Sequence, residues 1–139
     1  MDYRKSNSRK FWGHLLSAPF IWLPLLGLLF SDILFSLYQA ICFPIYGIEK
    51  VKRSAYILVR DRNKLAYLNP LEKLSCMYCG YGNGFLLYAK EIAGRTEKYW
   101  CGIKHEARPG FKTQADQIRL DFACFDDEED FKKKYGDKI

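Results

Sequence analysis

The stretch FWGHLLSAPFIWLPLLGLLFSDILFSLYQAICFPIYG, residues 11–47, decides how the rest of the chain is read. Its only formal charge is Asp32. A bilayer core is ~30 Å thick, so a spanning helix needs about 20 apolar residues. Residues 11–47 exceed one span and fall short of two. A cleavable signal peptide fits less well. Its apolar core would be ~7–15 residues, closed by a small-residue cleavage site, and this run continues past that length.

Two topologies follow. One tilted helix can span from about residue 20 to 42. Alternatively, a short helix (about 10–18) turns at Pro19–Pro24 and a longer one (about 25–42) returns to the same face. Each proline removes a backbone donor and restricts its predecessor, which favours a turn or kink there. Arg4, Lys5, Arg9 and Lys10 precede the apolar run; Lys50, Lys52, Arg53, Arg60, Arg62 and Lys64 follow it. Cytoplasmic flanks carry excess Lys and Arg, so both topologies place residues 48–139 in the cytoplasm.

An ionisable residue in such a segment costs ~2.5–3.5 kcal/mol on insertion scales and marks a candidate site. Ser36 and Gln39 share the helical face of Asp32. This polar stripe suits packing against another helix, from its own chain or from a membrane-protein partner. In the hairpin topology, His14 lies across the bend and can pair with Asp32.

Beyond the apolar run the chain is rich in charge. The whole has 139 residues, 16.3 kDa, 22 Lys plus Arg against 16 acids and a net charge of +6. That length supports one domain with an appended segment and excludes a multidomain enzyme. Hydrophobic residues at 49% exclude a disordered chain. The boundaries expected are a basic tail (1–10), a membrane segment (11–47), a Cys/His cytoplasmic domain (48–125) and a charged C-terminal helix (126–139).

Four residues carry the chemistry expected of that domain. Cys76, Cys79, Cys101 and His105 form the pattern C-x2-C-x21-C-x3-H. Three thiolates and an imidazole make a closed tetrahedral set that Zn²⁺ accepts in structural sites. A reducing cytoplasm keeps the thiols available to metal. Cys124 can replace His105, and a four-cysteine set admits iron or an Fe–S centre as well. A thioredoxin-like role for Cys76 and Cys79 lacks the βαβ unit it needs. Cys42 reads as a small buried hydrophobe.

The remaining elements follow local signals. Residues 54–60 and 64–68 are β-prone runs around Asp61-Arg62-Asn63 and read as a β-hairpin. Asn69-Pro70 caps a short helix, 70–75. The glycine-rich run 80–84 reads as a loop, with Asn83 capping a long helix over about 84–99. Phe85, Tyr88, Ala89, Ile92, Thr96 and Tyr99 fall on one face of it, and Glu91–Arg95 is a favourable pair. Residues 106–117 read as a loop turning at Pro109-Gly110, and 118–125 as a strand carrying Cys124. The order acidic then basic from Asp126 to Lys134, with Gly136 as a stop, suits a terminal helix. The fold class expected is therefore α+β. It comprises a membrane helix or re-entrant helical hairpin and a small metal-stabilised domain with a β-hairpin and one long helix.

No nucleophile–base arrangement or RNA-binding signature stands out. The basic residues cluster beside the membrane segment, where anionic lipid is worth ~1 kcal/mol per Lys or Arg, so the partner expected is the bilayer and not nucleic acid.

The stretches DILFSLYQAICFPIYGI (32–48), YLNPLEKLSCMYCGYGNG (67–84) and EIAGRTEKYWCGIKH (91–105) resemble a family of small uncharacterised bacterial membrane proteins with a C-x2-C-G…Y-W-C-x3-H pattern. The resemblance implies a bacterial inner-membrane setting, a turn at Cys42–Pro44, and metal ligation by Cys76, Cys79, Cys101 and His105. The family pattern often has a proline where Gly102 stands, and its absence here loosens the second half of the site without removing a ligand. The function expected is a membrane-anchored, zinc-binding accessory or interaction protein. The alternative is a membrane-associated redox protein carrying iron, an Fe–S centre or a reactive dithiol.

Overall fold

A computed structural model describes residues 8–136, with side chains from residue 12 onward except at position 14. The side chain of His14, and hence its expected pairing with Asp32, lies outside the described residues, as does most of the basic tail.

The fold is helical, with no strand among the described residues, and the α+β expectation is overturned. Helix α1 (Ser8–Tyr46) runs unbroken through Pro19, Pro24 and Pro44, so there is no re-entrant turn at 19–24. It ends at Gly47, not at the Cys42–Pro44 turn that the resemblance implies. The Ile48 amide reaches back to the Phe43 carbonyl (2.9 Å), the Gly47 amide to Pro44 (3.4 Å), and Gly47 has φ 69°. A left-handed residue there lets the last carbonyls of the helix find donors, and glycine takes that conformation without a Cβ clash.

Helix α2 (Pro70–Trp100) starts as the sequence predicts. Asn69 Oδ1 accepts from the Glu72 amide (2.8 Å) and Glu72 Oε2 accepts from the Asn69 amide (3.0 Å), with proline at the first helical position. It then continues through the glycines, so the two expected helices 70–75 and 84–99 are one. Asn83 caps nothing; its Nδ2 donates to the Cys79 carbonyl one turn back (2.9 Å).

α1 and α2 run parallel. Trp22 meets Tyr78, Phe35 meets Phe85, Gln39 meets Tyr88 and Tyr46 stacks on Tyr99, so positions rise together on both helices. A parallel pair needs a connection that returns the full distance. Residues 48–69 supply it as a strap, irregular apart from 3₁₀ turns at Arg53–Ala55 and Arg62–Lys64. Here the predicted hairpin fails. An isolated two-stranded hairpin is marginal in water, whereas the groove between the helices buries much of Tyr56 and Ile57 against the core.

The glycines in α2 make that groove. A Cβ on Gly80 would lie 2.8 Å from the Leu58 carbonyl oxygen, and one on Gly84 2.6 Å from that of Tyr56. The core of Phe43, Val51, Phe85, Tyr88 and Ile92 lies where α1, strap and α2 converge.

After α2 comes a small cap. Cys101 ends the helix and Gly102 takes φ 67°, a left-handed conformation that proline cannot adopt. Helix α3 (Ala115–Arg119) and the turn that follows it at 120–121 replace the first half of the strand expected at 118–125. A single parallel bridge, Ile103 to Ala123, is all the β-pairing there. Helix α4 (Glu128–Tyr135) stops at Gly136 as predicted, and Tyr135 donates to the Gly102 carbonyl (3.1 Å).

Candidate functional site

The four expected metal ligands do not meet within one chain. Cys76 and Cys79 sit one turn apart near the start of α2, and Cys101 caps its end. The unbroken helix between Cys79 and Cys101 places them ~33 Å apart along its axis, whereas zinc–sulfur bonds are ~2.3 Å. Among the described residues no group of three or more His, Cys, Asp or Glu is placed to hold an ion. The residues therefore do not fit the closed zinc set, and replacing His105 by Cys124 leaves the same separation. The spacing argument needed a loop at 80–84 to fold the chain back, and the glycines serve helix packing instead.

What remains is two separate pairs. Cys76 and Cys79 form a one-turn dithiol. Cys101 and His105 line a cleft of ≈530 Å³ with Glu97, Lys104, Arg108, Phe111 and Phe125 among its walls. There His105 Nε2 lies 3.8 Å from Glu97 Oε1, which also accepts from Gln117 Nε2 (2.7 Å), and Phe111 meets the imidazole edge-on. All five cysteines are free thiols.

The buried polar chemistry is centred on Asp32. Its Oδ1 accepts from Arg53 of the strap and from Ser36 Oγ (3.4 Å); its Oδ2 accepts from Tyr81 of α2 (2.8 Å). One carboxylate thus ties all three elements together. About two turns later Gln39 does the same with neutral groups. Its Oε1 accepts from the Val51 amide and its Nε2 donates to Tyr88 Oη (2.9 Å). The Asp32, Ser36, Gln39 face is therefore occupied from within the chain. Arg53 Cζ also lies 5.9 Å from the Tyr88 ring centroid, within cation–π range. Reading the sequence located Asp32, Ser36 and Gln39 but missed Arg53 and Tyr81.

A second set of ion pairs docks the cap. Glu91, buried, pairs with Arg95 (2.8 Å) and with Arg119 of α3, while Lys90 Nζ reaches Asp116 Oδ2 (3.1 Å). Gly94 admits α3 so closely that a Cβ would lie 2.4 Å from Asp116 Oδ2.

Lys134 of α4 holds Asp121 (2.9 Å) and Asp130 (3.1 Å). The Cys124 amide, donating 2.8 Å to Asp130, and then Lys134 hold the Asp130 carboxyl below its usual range; Lys134 does the same for Asp121. Depressed carboxyl pKa values give stability that is present above the ordinary value, about 3.9, and lost as pH falls through the depressed one. Lys134 is raised, chiefly by Asp121, so its contribution holds throughout neutral pH. Acidification below about pH 4 is accordingly expected to free α4 before α2 opens. Amide exchange over residues 124–136, corrected for its intrinsic pH dependence and compared with α2, checks this. Asp130→Asn should give the same faster exchange at pH 7. Unchanged exchange in that variant would show that the carboxylate does not hold the helix.

No protein-family model, curated protein or solved structure matches the chain.

Proposed function

We propose that the chain is a membrane-anchored accessory or interaction protein, with α1 as the anchor and residues 101–136 as the part presented to water. The observation that carries the reading is the exposure of α1. It contains a 32-residue segment, Leu15–Tyr46, long and apolar enough to cross a membrane, with only 6% of its most apolar window buried. Leu16, Phe20, Leu23, Leu26, Phe30 and Ile33 are all more than 60% exposed. Contiguous apolar surface on that scale marks a lipid or protein contact, not a water-facing side. The basic flanks and the family resemblance favour the bacterial inner membrane with residues 48–136 in the cytoplasm. The zinc reading is not carried forward, because its ligand set is split by the length of α2.

Replacing Phe30 and Ile33 together by aspartate tests the anchor, since both face away from α2 and the strap. Each charge costs ~2.5–3.5 kcal/mol in hydrocarbon, so the variant should leave the carbonate-washed membrane pellet and fail to float with vesicles. Lys132→Ala should behave as wild type. Wild-type protein that stays soluble and does not float would refute the reading.

A further inference from the structure

Resting on that membrane reading, we infer that α1 lies along the bilayer surface instead of crossing it, its uncovered stripe facing acyl chains and the strap and α2 standing on its back. Three observations converge. The first is length. The apolar segment Leu15–Tyr46 measures ~48 Å at helical rise, well beyond a ~30 Å core even with strong tilt.

The second is what lies beside the helix. The strap descends from Val51, bonded to Gln39, through Arg53, bonded to Asp32, to Asn63, bonded to Met77 one residue before the Tyr78 that reaches Ile21. Any stretch of about 20 residues chosen within Leu15–Tyr46 includes positions 27–34. A crossing helix would therefore always carry the Asp32–Arg53 pair and the irregular strap into hydrocarbon. The Arg53 side chain is 46% exposed, and Lys52, Ser54 and Ala55 around it are exposed too. Lipid-exposed irregular backbone does not occur at that depth, and exposed cations there are costly.

The third is the pattern on the far side of the helix. Leu23, Leu26, Phe30, Ile33, Leu37 and Ile41 recur every three or four residues, and all are about half or more exposed. They form one uncharged line opposite the face that holds Asp32, Phe35, Gln39 and Phe43. An interfacial helix buries such a line ~5–10 Å deep and needs a polar opposite face. In this chain the strap, with Lys52, Arg53, Arg60, Arg62 and Lys64 exposed, supplies the polar groups that α1 itself lacks. The net charge of +6 adds attraction to anionic headgroups.

Spin labels at residues 23, 30, 37 and 41, placed singly in a cysteine-free chain, measure depth in phosphatidylethanolamine–phosphatidylglycerol vesicles. The surface orientation gives four similar shallow depths. A profile that deepens to a middle position and rises again means a crossing helix and overturns the inference. Strong label–label coupling between chains without lipid contact means a second copy covers the stripe, and also overturns it. Labels in water on protein that does not float would sink the membrane reading itself. Because removing five cysteines can disturb folding, the native chain gives an independent check. A membrane-impermeant amine reagent added outside the vesicles should acylate Lys52 and Lys64 as fast as in detergent. Protection of both in vesicles would again mean immersion.

Discussion

Gly84→Val is expected to expel the strap from α2 while both long helices stay formed. The atoms in the way are backbone. A Cβ at position 84 meets the Tyr56 oxygen at 2.6 Å and the Ile57 Cα at 2.9 Å, and neither can rotate aside. Tyr56 and Ile57 are themselves packed against the core, so the strap must move as a unit. Overpacking of this kind costs ~1–3 kcal/mol for small intrusions and more when backbone must shift. Relief from glycine's poor helix propensity returns less than about 1 kcal/mol. The net loss should therefore be about 2–3 kcal/mol or more, read as a lower melting temperature and rapid amide exchange over 51–60. Gly82→Ala is the matched control, because its Cβ meets only the tip of Leu28 at 3.4 Å. That variant should be neutral or slightly stabilised. If Gly84→Val melts with wild type and keeps its strap protected, the close approach is not what shapes the groove.

That contrast explains why so much of the middle of the chain was misread. Glycines at 80, 82 and 84 look like a loop because each costs a helix ~1 kcal/mol. The cost is offset by a partner distant in sequence, and no local rule sees that partner. One signal was available. Gly80 and Gly84 are four apart, on one helical face, which is the spacing that lets another backbone come close. The same tertiary override converted the β-prone residues 54–60 into a strap. Their apolar side chains are used, but against two helices instead of a second strand. By contrast, features that depend on adjacent residues were legible. The Asn69–Glu72 cap, the Phe85-to-Tyr99 face turned to α1, the Arg108–Phe111 turn and the Gly136 stop all stand where local chemistry places them.

The site was legible only in part, and for a related reason. Periodicity put Asp32, Ser36 and Gln39 on one stripe of α1, and that stripe does turn inward. Nothing in spacing could say that Arg53, following a helix terminus, folds back to meet Asp32, or that Tyr81 sits in a helix at all. The metal reading failed on the same error as the loop. Ligand spacing constrains an ion only when the chain between the pairs can fold back, and α2 is one unbroken helix through that interval.

The Asp32 cluster predicts an asymmetry that distinguishes a structural clamp from a dispensable ion pair. Removing Arg53 leaves the Asp32 carboxylate, whose side chain is 10% exposed, with Tyr81 and Ser36 but no counter-ion. Breaking a fully buried pair costs ~3–5 kcal/mol. With one partner 46% exposed, screening reduces this, and Arg53→Ala should cost about 2–3 kcal/mol. Removing Asp32 leaves a half-exposed guanidinium that can turn to water, so Asp32→Ala loses mainly the bonds to Tyr81 and Ser36, about 1–2 kcal/mol. Asp32→Asn in the Arg53→Ala chain takes away the stranded charge while an acceptor stays in front of Tyr81. It should recover about half or more of the Arg53→Ala loss. Chemical denaturation in one detergent, for the two alanine variants, Asp32→Asn alone and the Asp32→Asn/Arg53→Ala double variant, measures these terms and closes the cycle. Simple additivity would mean that the carboxylate and guanidinium do not depend on each other, and that Gln39, with Val51 and Tyr88, fastens the strap alone.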